Sequence, residues 1–278
     1  MMNRSAHGWI ESAKNPQVKA LLRLQERRTR EREARTVVEG VREVQRAFEA
    51  GLTLEAAYVA PDLLATEGHL LEQTLASAGI PVTGCARAAF ERISGRQGPD
   101  GVLAVVQVPQ LTLETLVLPG NPLLLVAVAT EKPGNLGALI RTADAAGVDA
   151  LLLARGDEAA PGTDPWNPNV IRASMGSVFH LPVVEASGAT LRPWLQQRGV
   201  RIAVTDPNVD ANLWDVPLTG PLAIVLGAEH AGLPAPWREA AQLRIGIPMR
   251  GAADSLNVSV SGALTLYEAL RQRSRANR

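Results

Sequence analysis

The stretch "PLLLVAVATEKPGNLGALIRTADAAG", Pro122 to Gly147, decides how the chain is read. Leu123 to Val128 is a short, continuous apolar run that stops at a Pro- and Gly-containing turn, the signature of a strand buried on both faces. After the turn, Leu136, Leu139, Ile140 and Ala143 recur at helical spacing. A buried strand, a tight turn and a helix make half of a βαβ unit. The half-unit repeats downstream: "DALLLA", "VFHLPVVE", "RIAVTD", "LAIVLGAE" and "LRIGIPM" are further candidate strands, with helices between most of them. The pattern predicts an α/β domain with a parallel sheet, and such sheets bind ligands beyond the carboxyl ends of their strands. The polar residues gather there, in "TEKPGN", "TDPN", "GAEHAG" and "MRGAADSLN".

Upstream, the composition changes. Residues 14 to 46 carry much of the positive charge, in two helical stripes broken near "TVVEG". "EAAYVA", "GIPVTG" and "GVLAVVQV" are short candidate strands, with a helical stretch "GHLLEQTLASAG" among them. They predict a small α/β domain over residues 1–110. "PQLTLETLVLPGNP" is the seam, with prolines at both ends and no strong period, and the second domain covers 119–278.

Composition bounds the function. With 28 basic and 28 acidic residues, no bulk basicity announces a nucleic-acid partner, although local charge can still bind one. Cys85 is the only cysteine, so a disulfide within the chain and a Cys-cluster zinc site are excluded, and no metal site is expected. No apolar stretch suits a membrane span or a signal peptide, which predicts a cytoplasmic protein without a membrane partner. No strand leads into G-x-G-x-x-G, and no Walker lysine pattern occurs.

Three stretches could carry chemistry, and each has an ordinary reading. In "EKPGNLGALIRTADAAG", Asn135 and Arg141 sit among small and apolar residues; Arg141 is either a site residue or a half-buried helix residue paired with Asp144 or Glu131. In "IVLGAEHAGL", Glu229 is either a site acid or a surface charge. In "IPMRGAADSLNVSVSGALTLYEAL", Ser255 is placed as the N-cap of a helix. Ser259, Ser261 and Gly262 keep one face of that helix small. His180 reads as a strand residue, and His230 as either a loop residue or a contact to a bound partner.

Together, in order and spacing, these stretches resemble the three signature motifs of the SpoU/TrmH family of SPOUT RNA methyltransferases. "IRASMGSVFHLPV" also resembles a family segment, and "SAKNPQVKALLRL…RTVVEGVREVQRAFEAG" resembles the family's substrate-binding domain, which has a ribosomal-protein-like α/β fold. One departure is "EKPGN", where many members have Asp-Pro before Gly-Asn. The resemblance implies a deep trefoil knot in the C-terminal domain that forms a pocket for S-adenosylmethionine. By motif position, Leu226, Gly227, Ile247 and Leu256 would hold the cofactor, with Thr205 on a neighbouring strand end. Asn135, Arg141, Glu229, Ser255 and Asn257 would form the catalytic set. The implied reaction methylates a ribose 2′-hydroxyl, in ribosomal RNA first. The alternatives are a tRNA 2′-O-methyltransferase and a non-catalytic RNA-binding ribosome-assembly factor. Arg27, Arg28 and Arg30 on the basic helix, and Arg172, are the RNA-contact candidates. Family members pair through the knotted domain, which implies a homodimer.

Overall fold

The computed structural model describes residues 8–155, 162–206, 209, 211–228 and 232–276. The chain separates into two compact units.

The first unit runs to Gln110 and also takes in Trp166–Phe179. Its elements are β1 (Trp9–Ile10), α1 (Pro16–Arg23), α2 (Arg27–Glu33), β2 (Arg35–Glu39), α3 (Val41–Glu49), β3 (Leu54–Val59), α4 (Thr66–Ser77), β4 (Val82–Cys85), α5 (Arg87–Ile93) and β5 (Val102–Gln107). The strands form a mixed five-stranded sheet in the order β1-β4-β3-β5-β2, with β5 antiparallel to both its neighbours. The break between the two helical stripes near "TVVEG" is strand β2, and Gly40 at its end is the N-cap of α3. Helix α1 starts where its sequence dictates. Asn15 caps it, with Oδ1 accepting from the Gln17 N–H at 2.8 Å, and Pro16 occupies the first helical position. Val18, Leu21 and Leu24 then pack with Phe90, Ile93 and Leu103 in the core.

The second unit begins at Leu111. Its early elements are β6 (Leu123–Val128), α6 (Pro133–Ala145) and β7 (Ala150–Arg155). The chain then crosses to the first unit as α7 (Pro168–Ala173) and its flanks. There the Thr36 hydroxyl donates to the Trp166 carbonyl at 2.7 Å, and Arg46 donates to the Met175 carbonyl. It returns as β8 (Val183–Ser187), α8 (Gly188–Gln197), β9 (Arg201–Thr205), β10 (Leu222–Leu226), α9 (Ala235–Ala240), β11 (Leu243–Ile245) and α10 (Val258–Ala276).

The six strands are all parallel, in the order β11-β9-β10-β6-β7-β8. The strand order reverses between β6 and β10: β7 and β8 extend to one side, β9 and β11 to the other. One face of the sheet (Leu124, Val126, Val225) packs with Leu191, Trp194 and Trp237. On the other, α10 lies against α6 and β10.

One strand starts later than its apolar run suggests. Ser177–Phe179 forms a short 3-10 turn and His180 is exposed in the turn after it, so β8 begins only at Val183.

Candidate active site

The carboxyl ends of β9, β10 and β11 open into a cavity of about 160 Å³. Its walls come from the strand ends and from the loop between β11 and α10. Thr205, Leu226, Gly227, Ile247 and Leu256, the five cofactor candidates, all line it, and so does Ser255. Backbone geometry closes one side. Ala228 and Gly232 exchange two backbone hydrogen bonds, of 3.2 and 3.0 Å. This folds the second motif so tightly that a Cβ at Gly227 would lie 2.5 Å from the Gly232 carbonyl carbon and 2.7 Å from the Leu233 nitrogen. Gly232 itself turns at φ +63°, in the left-handed region that glycine adopts without strain. Gly246 is equally crowded, with a virtual Cβ 2.7 Å from the Val209 carbonyl oxygen.

Two asparagines distant in sequence meet beside these elements. Asn257 Nδ2 donates to Asn135 Oδ1 at 3.2 Å. Asn135 stands in the first turn of α6, after Pro133 at the start of the helix. Its own Nδ2 is buried and makes no hydrogen bond to any described residue.

Asn257 is the N-cap of α10. Its Oδ1 accepts from the Ser259 N–H at 2.9 Å, and its carbonyl accepts from Val260 and Ser261. This corrects the expectation for Ser255, which lies two residues earlier in the loop, exposed, and caps no helix among the described residues. An Asn or a Ser serves equally well as a cap, and the loop's course selects Asn257. The close approach of α10 to α6 depends on Gly262, whose virtual Cβ would lie 2.6 Å from Leu139 Cδ2 and 2.9 Å from Leu226 Cδ1.

Arg141 is exposed on α6 and has no ion pair with Asp144, Glu131 or any other described residue. The half-buried paired reading therefore fails, and a solvated guanidinium stands within the same helix as Asn135. Glu229 and His230 lie outside the described residues. Asp206 went unnoticed in the sequence. It lines the cavity at the end of β9 and is held by Arg244 at 2.5 Å. The only sequence signal for it was the polar "TDPN" after an apolar run.

The RNA candidates belong to the first unit and do not share one environment. Arg30 is a correction. It is 3% exposed, and its Nη1 donates to the Leu24 and Gln25 carbonyls at 2.8 and 2.7 Å. Those carbonyls end α1 and need a donor, so this guanidinium is committed to the fold. Arg27 pairs with Glu31 at 2.6 Å. Arg32, and then Arg35, hold the Glu33 carboxyl below its ordinary range, so much of the basic run is locally neutralised. Arg28 is exposed with no ion pair among the described residues. Arg172 is half-buried and donates to the Asn169 side chain.

Comparison with known proteins agrees along most of the chain. The SpoU rRNA Methylase family profile matches residues 122–267, and the MRM3-like substrate binding domain profile matches residues 15–104. The chain is 33% identical over 258 residues to the 23S rRNA (guanosine(2553)-2′-O)-methyltransferase RlmP of Bacillus subtilis, covering 93% of this chain and 97% of that protein. A crystal structure of an RNA 2′-O ribose methyltransferase superposes with a TM-score of 0.83 at 44% identity, over 95% of this chain and 98% of that one. The SpoU methyltransferase AviRb of Streptomyces viridochromogenes, solved in complex with the cofactor AdoMet, gives 0.82 at 28% identity, over 93% and 98%. With the three motifs gathered at the strand ends and both profiles matched in sequence order, the chain belongs to the SpoU rRNA methylase family.

Proposed function

We propose that the protein transfers a methyl group from S-adenosylmethionine to a ribose 2′-hydroxyl of 23S ribosomal RNA. The observation that carries this reading is the meeting of the three motifs at one place: the cavity at the ends of β9–β11, with the Asn135–Asn257 pair beside it. The cavity suits the cofactor. Leu226, Leu233, Ile247 and Leu256 offer apolar walls to an adenine, and Asp254 brings a carboxylate that favours a ligand bearing a sulfonium cation.

When bound, S-adenosylmethionine supplies a methyl group activated by its sulfonium. The chain must hold the ribose, let its hydroxyl lose a proton and stabilise the charge that develops on oxygen. Thr205, Leu226, Gly227, Ile247 and Leu256 hold the cofactor. Asn135, through a buried Nδ2 that has no partner among the described residues, and Asn257 orient the acceptor. Arg141 grips the target's phosphate and stabilises the oxygen. It is not the base, because a guanidinium offers only N–H donors and no site to accept a proton. Glu229 accepts the proton or fixes Arg141, and Ser255 helps shape the cavity wall. The first unit recruits RNA through exposed cations such as Arg28.

Two finer features complete the reading. The C-terminal unit is knotted, with α10 drawn through the loop that forms the cavity. It also pairs with a second copy through α10. Val260, Ala263, Leu264 and Tyr267 recur at helical spacing on the side of α10 away from α6. Val260 is 46% exposed, Tyr267 50%, and Trp214 beside them 49%. An apolar stripe of this kind is what a partner covers. A ribosomal substrate implies a cytoplasmic enzyme.

The test is single-turnover transfer of labelled methyl at saturating cofactor. Arg141→Ala should keep its circular dichroism and cofactor affinity and lose about 10²–10³ in rate. Arg141→Lys should remain poor, because an ammonium lacks the flat fork that spans phosphate and ribose. Near-wild-type transfer by the Ala variant would remove Arg141 from the reaction.

A further inference from the structure

The turn that carries the first motif is held by a residue outside all three motifs. At the end of β6 the chain turns through Ala129 at φ +51°, a left-handed conformation that is unfavourable for a residue with a Cβ. Such strain persists only where the surroundings impose it. Here they do so through Thr163. Its N–H donates to the Thr130 carbonyl at 2.8 Å, and its hydroxyl donates to the next carbonyl, that of Glu131.

Thr163 is itself anchored to the sheet. Its carbonyl accepts from Arg155 Nη2 at 3.4 Å, and Arg155, the last residue of β7, pairs with Glu185 of β8 at 2.6 Å. The Thr130 hydroxyl is buried and makes no hydrogen bond to a described residue, so the side chain within the turn adds no hold of its own. Helix α6 starts two residues after Glu131, and its first turn presents Asn135 to Asn257.

We infer that Thr163 is a positioning residue for methyl transfer: its clasp on two successive carbonyls sets where α6 begins, and so where Asn135 meets the acceptor ribose. The inference rests on the methyl-transfer reading. The hydroxyl is the discriminating group, because of the two carbonyls Thr163 holds it reaches the one nearer the helix.

Thr163→Val keeps the shape and the backbone N–H bond but removes the hydroxyl donor. Thr163→Ser keeps the donor. Hydrogen exchange followed by mass spectrometry should show the 129–136 segment of the Val variant exchanging about 2–10-fold faster, the population shift expected from one lost hydrogen bond. Single-turnover methyl transfer should fall by about 10–100-fold, the scale on which small misplacements act. Calorimetric affinity for S-adenosylmethionine should stay within about twofold, because the cavity residues lie on other elements. The Ser variant should restore both exchange and rate.

A Val variant with wild-type rate and exchange would overturn the inference. So would a Ser variant as impaired as Val, or a Val variant whose cofactor affinity falls as far as its rate. If Val does not fold, Ser decides alone: wild-type rate and exchange support the clasp, and loss of either overturns it. A wild-type protein that binds the cofactor and methylates no RNA would instead sink the parent reading, and the exchange measurement would still report on the clasp.

Discussion

Gly262→Ala has a sign that depends on whether α10 is seated against α6 as described. On an exposed helix, replacing Gly by Ala gains about 1 kcal/mol, because glycine carries the larger backbone entropy loss. At position 262 the added methyl would lie 2.6 Å from Leu139 Cδ2 and 2.9 Å from Leu226 Cδ1. Both leucines are fully buried, so neither side chain has room to swing away. Overpacking of this kind costs about 1–3 kcal/mol. The propensity gain offsets part of that and leaves a net loss of about 1 kcal/mol.

Urea denaturation with an unchanged m-value reads this number directly. The strain also has a direction. Lifting α10 off α6 lengthens the Asn257–Asn135 bond, already 3.2 Å, and shifts the loop that walls the cavity. Calorimetry should therefore show weaker S-adenosylmethionine binding. A Gly262→Ala protein stabilised by about 1 kcal/mol, with unchanged cofactor affinity, would refute the packing of α10 and the reasoning built on it.

Three further outcomes follow. Gly227→Ala, a single methyl, should abolish cofactor binding in calorimetry, because the atoms it meets belong to the Gly232–Leu233 backbone and cannot move aside; an intact isotherm would show that the second motif tolerates opening. Arg27→Glu with Arg28→Glu should weaken RNA binding and flatten its logarithmic salt dependence by about 1.5, as fewer counterions are released, while Arg30→Glu should act chiefly on stability; equal effects of Arg28 and Arg30 on the slope would contradict the buried role of Arg30. Burial pushes the Cys85 thiol up to about 12, so the native state keeps a proton that the unfolded chain releases near pH 9. The stability this contributes is present below pH 9 and falls as pH rises from about 9 to 12. Urea melts should therefore lose stability more steeply in that window for wild type than for Cys85→Ala, and equal slopes would contradict it.

The sheet of the second unit was legible because its strands are buried on both faces and spell continuous apolar runs, as Leu123–Val128 does. The place of the candidate site was legible because small and polar residues follow the strands: Gly227 after β10, Asn135 in the first turn of α6, and Asn257 just before α10. What escaped the sequence depends on long-range partners. Arg30 looks like its basic neighbours, and nothing local says that the end of α1 needs its guanidinium. Ser255 and Asn257 are both good caps, and only the path of the β11–α10 loop decides between them. Val178 and Phe179 are apolar enough to pass for strand, yet they pack in the first unit with Trp166 stacked on Phe179. Thr163 sits in a polar loop with no periodicity, and its role appears only once its bonds to Thr130 and Glu131 are seen.

The most direct measurement is the identity of the methylated atom. The purified protein would be incubated with labelled S-adenosylmethionine and 23S ribosomal RNA, with tRNA as the parallel acceptor. The RNA would then be digested to nucleosides and the label located by mass spectrometry. The expected label lies on a ribose 2′-oxygen at one position of the 23S RNA and is lost with Arg141→Ala. Label on a base, transfer to tRNA alone, or cofactor binding with no transfer to either RNA would contradict it.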